Sequence, residues 1–181
     1  MHFKRTCIAG VIALSSLVAF TARANDTSVS TAAQEYRLRL YHLHTGERID
    51  VVYRIGDQYI PEKVAELDHF LRDHRTNDVK DYDVKEFDLL HDLLVKLGHP
   101  DHEIDIVCGY RTPWSNTYLR EHGHGVAEHS QHMEAKAIDI RIPGVPTAEV
   151  RDAALSLQRG GVGYYAQSDF VHVDTGRVRR W

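Results

Sequence analysis

The stretch AIDIRIPGVPTAEVRDAALSLQRGGVGYYAQSDFVHVD, Ala137–Asp174, decides the fold class. It opens on alternation, with Ile138, Ile140 and Ile142 sharing one face and Asp139 on the other, the period of a strand over Ala137–Ile142. A helix follows from Thr147 to Gln158, stopped by Gly160-Gly161, and two further strands read near Val162–Tyr165 and Phe170–Asp174. Strands this short, joined by loops and one helix, predict an α+β fold with helices packed on a small, mainly antiparallel sheet.

The chain upstream fits that reading. Glu103–Cys108 alternates, with Ile104, Ile106 and Cys108 expected on one face, and runs into Gly109-Tyr110-Arg111. A short helix is predicted from Ser115, as its cap, to Glu121, broken by Gly123-His124-Gly125. Earlier, Leu38, Leu40 and His42 alternate with Arg37, Arg39 and Tyr41. The turn His44-Thr45-Gly46-Glu47 and the alternating Ile49, Val51 and Tyr53 complete a β-hairpin. Pro61 opens a helix of about four turns marked by Val64, Leu67, Phe70, Leu71 and His74. Val84, Phe87, Leu90, Leu94 and Leu97 mark a second helix, ended by Gly98 and Pro100.

The first 24 residues stand apart. Lys4 and Arg5 precede an apolar run from Cys7 to Phe20 that ends at Ala22-Arg23-Ala24, the pattern of a cleavable export signal, and the run of about 14 residues is short for a bilayer span. Residues 25–35 read as a flexible leader and 36–181 as a single domain, for which 181 residues suffice and two ordinary domains would not fit. Residues 1–24 carry Lys4, Arg5 and Arg23 and no acid. The remainder therefore holds 19 of the 22 basic residues and all 26 acids, a formal charge of −7. An exported acidic domain has no electrostatic pull toward nucleic acid or anionic membrane, so neither is expected as a partner, and no membrane span is expected in the mature chain. Cys108 is the one cysteine left beyond the signal, which rules out an intrachain disulfide; it reads as a small buried hydrophobe.

Histidine is the conspicuous residue, 13 of 181. In Phe170-Val171-His172-Val173-Asp174 the valines share one face, so His172, like Asp139, points away from the apolar side. Were the two strands neighbours, this imidazole and carboxylate would meet across the sheet, and His132, seven residues before Asp139, could fold over to complete a third position. Two histidines and one carboxylate leave the fourth position of a tetrahedral zinc ion open for water, as catalytic sites require; a structural zinc would need thiolates that are absent. On spacing alone, the rival reading is surface histidines beside an acid paired with arginine.

The combination Ser130-x-His132-x-x-Ala135-x-Ala137-x-Asp139, with Gly109-Tyr110-Arg111 before it and Gly160-Gly161-Val162-Gly163-Tyr164-Tyr165 through Phe170–Gly176 to Trp181 after it, resembles the zinc peptidases of the M15 family. Within that family the similarity is to the exported murein endopeptidase K group, and it covers the whole chain beyond the signal. The resemblance implies an M15-type metallopeptidase fold, one Zn2+ per chain held by His132, Asp139 and His172, and peptidoglycan stem peptides as substrate. It further implies cleavage of a cross-link between two diaminopimelate residues, in the periplasm. Asp169, three residues before the last histidine ligand, takes the position where relatives carry a glutamate base, and Arg111 becomes a clamp for a substrate carboxylate or an oxyanion.

Two positions depart from the family pattern: Ala135 where glycine is usual, and Cys108 where serine is usual. Alanine at 135 is strained only if that backbone needs a positive φ. The tract His122-Gly123-His124-Gly125-Val126-Ala127-Glu128-His129 reads as a cleft-edge loop rather than a second metal site. His42, His44, His69, His74, His91, His99 and His102 read as ordinary surface or partly buried side chains, and Asp174 and Tyr164 as supports of the metal ligands. Alternatives of other activity remain: a D-alanyl carboxypeptidase, or a non-catalytic wall-binding or zinc-buffering protein.

Overall fold

Alternating residues pair into strands only where a partner strand takes their hydrogen bonds, and among the described residues eight segments do so in one open sheet. The computed structural model describes residues 33–123 and 126–181. The export signal, most of the leader and His124 lie outside the described residues; Glu35, the leader's last residue, already belongs to the first strand.

The strands are β1 (Glu35–His42), β2 (Arg48–Ile55), β3 (Gln58–Tyr59), β4 (Glu103–Cys108), β5 (Ala137–Arg141), β6 (Gly161–Tyr165), β7 (Phe170–Asp174) and β8 (Arg179–Arg180). Their order is β3-β2-β1-β4-β5-β7-β6-β8, with β1–β4 and β6–β8 parallel and the other pairs antiparallel, as a mainly antiparallel α+β fold requires. Helices α1 (Pro61–Phe70), α2 (Val84–Lys96) and α4 (Thr147–Leu157) pack on one face. There Leu38, Leu40, Ile104, Ile106, Ile138, Ile140, Val171 and Val173, none of them exposed, meet Leu67, Phe87, Leu90 and Leu94. Among the described residues no helix is long and apolar enough to cross a membrane.

Local chemistry moved two boundaries. The first helix ends at Phe70, a turn before His74, because the chain there docks on the loop after β4. The Leu71 carbonyl accepts from Tyr110 N–H at 2.8 Å, and the Asp73 carboxylate accepts from the backbone and hydroxyl of Thr112, both at 2.8 Å. Gly109 permits that approach, since a Cβ at this position would fall 2.5 Å from the Leu71 carbonyl oxygen. Helix α3 (Pro113–His122) starts two residues earlier than expected: Thr112, not Ser115, caps it by accepting from Ser115 N–H at 3.1 Å, and Pro113 opens its first turn.

The irregularity with most consequence lies in β4. Its register against β5 shifts between Ile106, which faces Ile140, and Cys108, which faces Asp139. The extra residue of a bulge turns the following side chain to the opposite face. Cys108 therefore leaves the face of Ile104 and Ile106; it is buried but stands outside the apolar core, a correction to the alternation reading.

Candidate metal centre

The register builds one row across four strands: Cys108 opposite Asp139, Asp139 opposite His172, His172 opposite Gly163. All lie on the sheet face away from the helices, so the expected meeting of acid and imidazole is present. His132 comes to the row from a one-turn 3-10 helix, Gln131–Glu134, capped by the Ser130 hydroxyl. His172 Nδ1 lies 2.8 Å from Asp139 Oδ1, His132 Nε2 lies 3.2 Å from the same oxygen, and the two ring nitrogens are 3.1 Å apart. All three side chains are buried.

The rear of each imidazole fixes its tautomer. His132 Nδ1 donates to the Gly109 carbonyl at 2.8 Å, and His172 Nε2 donates to Asp174 Oδ2 at 3.1 Å. With those protons in place, Nε2 of His132, Nδ1 of His172 and the Asp139 oxygen are three lone pairs facing one another, an arrangement that needs a cation. Metal–ligand bonds of about 2.0–2.2 Å in tetrahedral geometry put neighbouring donors about 3.3–3.6 Å apart, so small side-chain shifts outward from the 2.8–3.2 Å found would seat an ion. The donor set fits a metal ion. The Cys108 sulfur also lies within 4.8 Å of the His132 and Asp139 donor atoms.

Electrostatics agree. Burial would raise the Asp139 carboxyl, but His132 and His172 outweigh it and hold Asp139 well below the usual carboxylate range. Burial opposes charge on His132, yet Asp139 and Cys108 hold its pKa well above the ordinary imidazole value. The Cys108 thiol, raised by burial, is pulled back below its usual value by His132 and Arg111. Asp174, wholly buried, accepts from Gly161 N–H at 3.0 Å, Gly176 N–H at 2.8 Å and Arg179 Nη2 at 2.7 Å, and is kept ionised by His172 and these donors against its burial.

Arg111 is buried at the cavity wall. Its Nη1 donates to Asn116 Oδ1 at 3.2 Å and its Nη2 to Cys108 Sγ at 3.4 Å, while Nε has no partner, and it forms no ion pair among the described residues. A buried guanidinium without a carboxylate partner is available to an anionic or carbonyl oxygen from outside. Asp169 is placed otherwise. It sits at positive φ (53°) in the β6–β7 turn, its exposed carboxylate pairs with Arg141 Nε at 3.0 Å and accepts from the Thr147 hydroxyl, and it does not line the cavity. The expectation of a base at Asp169 is therefore corrected. Tyr164 is corrected too: it faces α4 beneath Arg151, and Tyr165 lines the cavity instead.

The cavity in front of the ligands has a volume of about 510 Å³, with Arg111, His129, Ser130, Tyr165, Phe170 and Trp181 among its walls. Sequence reasoning missed Trp181 and Arg179 here; the glycines at 161 and 163 were the available signal, since a Cβ would collide with Asp174 and Arg179 at the first and with the Trp181 ring at the second.

Two imidazoles and a carboxylate converging in an open cleft beside a guanidinium are a donor set suited to a metal-dependent hydrolase. The chain belongs to the M15 peptidases: the family described as peptidoglycan L,D-endopeptidase MepK matches residues 30–181. Over 144 residues, 80% of this chain, it is 44% identical to the peptidoglycan L,D-endopeptidase MepK of Escherichia coli K12, covering 79% of that protein. It is 42% identical to the probable peptidoglycan L,D-endopeptidase MepK of Haemophilus influenzae, covering 77% of it. No solved structure matches the chain significantly.

Proposed function

We propose that the protein is a zinc-dependent murein endopeptidase that hydrolyses peptide cross-links of peptidoglycan, the bond joining two diaminopimelate residues, after export to the periplasm. The observation that carries this reading is the convergence of His132, Asp139 and His172, 2.8–3.2 Å apart, in a cleft also lined by Arg111, which has no carboxylate partner among the described residues. A zinc ion held by these three side chains supplies Lewis acidity toward the scissile carbonyl and toward water. The protein supplies the rest. Gly109 and Asp174 hold the two imidazoles in the tautomers that leave their lone pairs inward. Arg111 lines the cavity without a carboxylate partner among the described residues, and its guanidinium takes the substrate's carboxylate or the oxygen that becomes negative, where burial strengthens the interaction. Cleavage is favoured over the wall-binding or zinc-buffering alternative because the donors open into a substrate-sized cavity that Arg111 also lines.

Digestion of purified sacculi with the zinc-loaded protein, followed by mass spectrometry of the products, tests the reading. Loss of diaminopimelate–diaminopimelate dimers is expected. Release of D-alanine without loss of dimers would assign the carboxypeptidase activity instead, and cleavage retained by His172→Ala would overturn the ligand set.

A further inference from the structure

The cavity has two chemically different walls. Arg111, His129 and Ser130 line one part of it, and Tyr165, Phe170 and Trp181 supply an aromatic part. Tyr165 and Phe170 stack at 4.5 Å between centroids. Trp181 is the unusual member, because half of it is exposed (50%) although it is anchored at many points. Its backbone N–H donates to Val162 O at 3.3 Å and its carbonyl accepts from Tyr164 N–H at 3.0 Å. The indole N–H donates to the Tyr165 hydroxyl at 2.8 Å, and the Arg179 guanidinium lies 4.8 Å from the ring centroid. The ring stands over Gly163, where a Cβ would fall 2.7 Å from it, and its centroid is 5.2 Å from that of His172.

A large apolar group kept half open is unfavourable for the free protein, and here its ordering entropy is already lost before anything binds. A rigid aromatic surface beside the reacting centre gains its full contact energy when an aliphatic group covers it. We propose that Trp181 is a substrate-contacting, specificity-determining residue, the exposed half of its indole being the platform for the aliphatic side chain of the stem-peptide residue next to the cleaved bond. The inference rests on the peptidase reading above. Diaminopimelate suits such a site: three methylenes to lie on the indole, ending in a charged amino-acid group for polar partners such as Arg111.

Steady-state kinetics on purified cross-linked muropeptide dimers, with the full zinc-loaded chain, test it. Trp181→Ala is expected to raise KM about tenfold or more while kcat stays within about threefold, with Trp181→Phe returning KM most of the way. Zinc affinity by chelator competition is expected to be unchanged in both. A normal KM with reduced kcat or zinc affinity would overturn the platform and make Trp181 a positioning residue of His172; unchanged kinetics would overturn it as well. If Trp181→Ala does not fold, Trp114→Phe leaves Trp181 the sole indole of the two in the chain. Its fluorescence should then change saturably with the cleaved tripeptide stem, and a flat titration overturns the proposal. Wild-type protein that cleaves no dimer fails the peptidase reading, separately from these comparisons, and removes the basis of the platform with it.

Discussion

Two histidine groups among the described residues contrast, and only one has the donors of the candidate metal centre. His42, His44 and His74 cluster beside Phe70, with His44 and His74 stacked at 4.1 Å, His42 and His74 at 5.8 Å, and His42 wholly buried rather than partly exposed as its sequence suggested. His132 and His172 both have a ring nitrogen within 3.2 Å of one carboxylate oxygen, Asp139 Oδ1. The difference is the carboxylate and the rear partners. Asp139 gives the second group a negative charge in its midst, and Gly109 and Asp174 fix inward lone pairs; in the first, His42 Nδ1 accepts from His44 N–H at 3.2 Å and Nε2 has no partner. Histidine density made the sequence conspicuous, but one carboxylate oxygen in contact with two ring nitrogens is what sets His132 and His172 apart.

The widest separation between the groups should come from removing one imidazole from each. His132→Ala or His172→Ala is expected to abolish stoichiometric zinc binding and lower kcat/KM by at least about a thousandfold. His42→Phe should leave both within about threefold, because the ring already packs against Phe70 and touches no donor of the metal cluster. Inductively coupled plasma measurement of zinc with dimer cleavage checks both arms; zinc loss in His42→Phe would erase the distinction.

Next in size is the rear partner of His172. Asp174→Asn removes the charge that accepts the His172 proton and leaves Arg179 without its carboxylate. Zinc affinity should fall about 10- to 100-fold while the fold survives, the usual range for such partners. Chelator competition with circular dichroism separates the two. An affinity equal to wild type would mean that His172 is oriented by its strand alone.

The two groups also differ in what acid does to them. Burial and the charge of neighbouring His44 push His42 down to about 4, and burial with His44 does the same for His74. Glu47 and Asp73 oppose the shifts and Arg72 and Arg75 reinforce them. A histidine whose folded pKa lies below its unfolded value near 6.5 binds more protons unfolded. Its stabilising contribution is complete above pH 6.5 and is lost as pH falls toward 4. Asp68, raised by burial to about 6, has the opposite sign between 6 and 3.8 and is common to wild type and variant. Thermal unfolding from pH 7 to 4.5 should therefore show a smaller loss in His42→Phe than in wild type, by on the order of 2 kcal/mol. Parallel curves would show that His42 charges freely in the folded state.

Period-two alternation made most of the sheet and the pair Asp139 and His172 readable in the sequence, because neither β5 nor β7 has an irregularity between its ends. Cys108 escaped it because one extra residue in β4 reverses every face after Ile106, and no local residue type announces a bulge. Asp169 escaped for a related reason: the position three residues before His172 reads as that of the family's glutamate base, but here a tight turn at positive φ directs the carboxylate to Arg141 and Thr147. The end of α1 was set by Thr112 and Tyr110, some 40 residues downstream, a tertiary effect that helical periodicity does not contain.

The smallest effect tests the loop that brings His132 to the acid. Ala135 has φ 50° and ψ 45°, the left-handed conformation in which a Cβ crowds the following carbonyl, so the alanine is strained there as the sequence departure warned. The strain holds because the loop is fixed on both sides: Ala135 O accepts from Asp83 N–H at 3.2 Å, and Ala135 N–H donates to the His132 carbonyl at 3.3 Å. Ala135→Gly relieves about 1 kcal/mol or somewhat more of backbone strain and forfeits a buried methyl worth about 0.8 kcal/mol along with some unfolded-state restriction. The net change in unfolding free energy should thus lie within about 1 kcal/mol of zero by urea titration, with zinc affinity equal or slightly higher because His132 is freed from a strained neighbour. A clear loss of zinc affinity in Ala135→Gly would mean that the methyl, packed in the core at zero exposure, is what holds the 3-10 turn against the sheet.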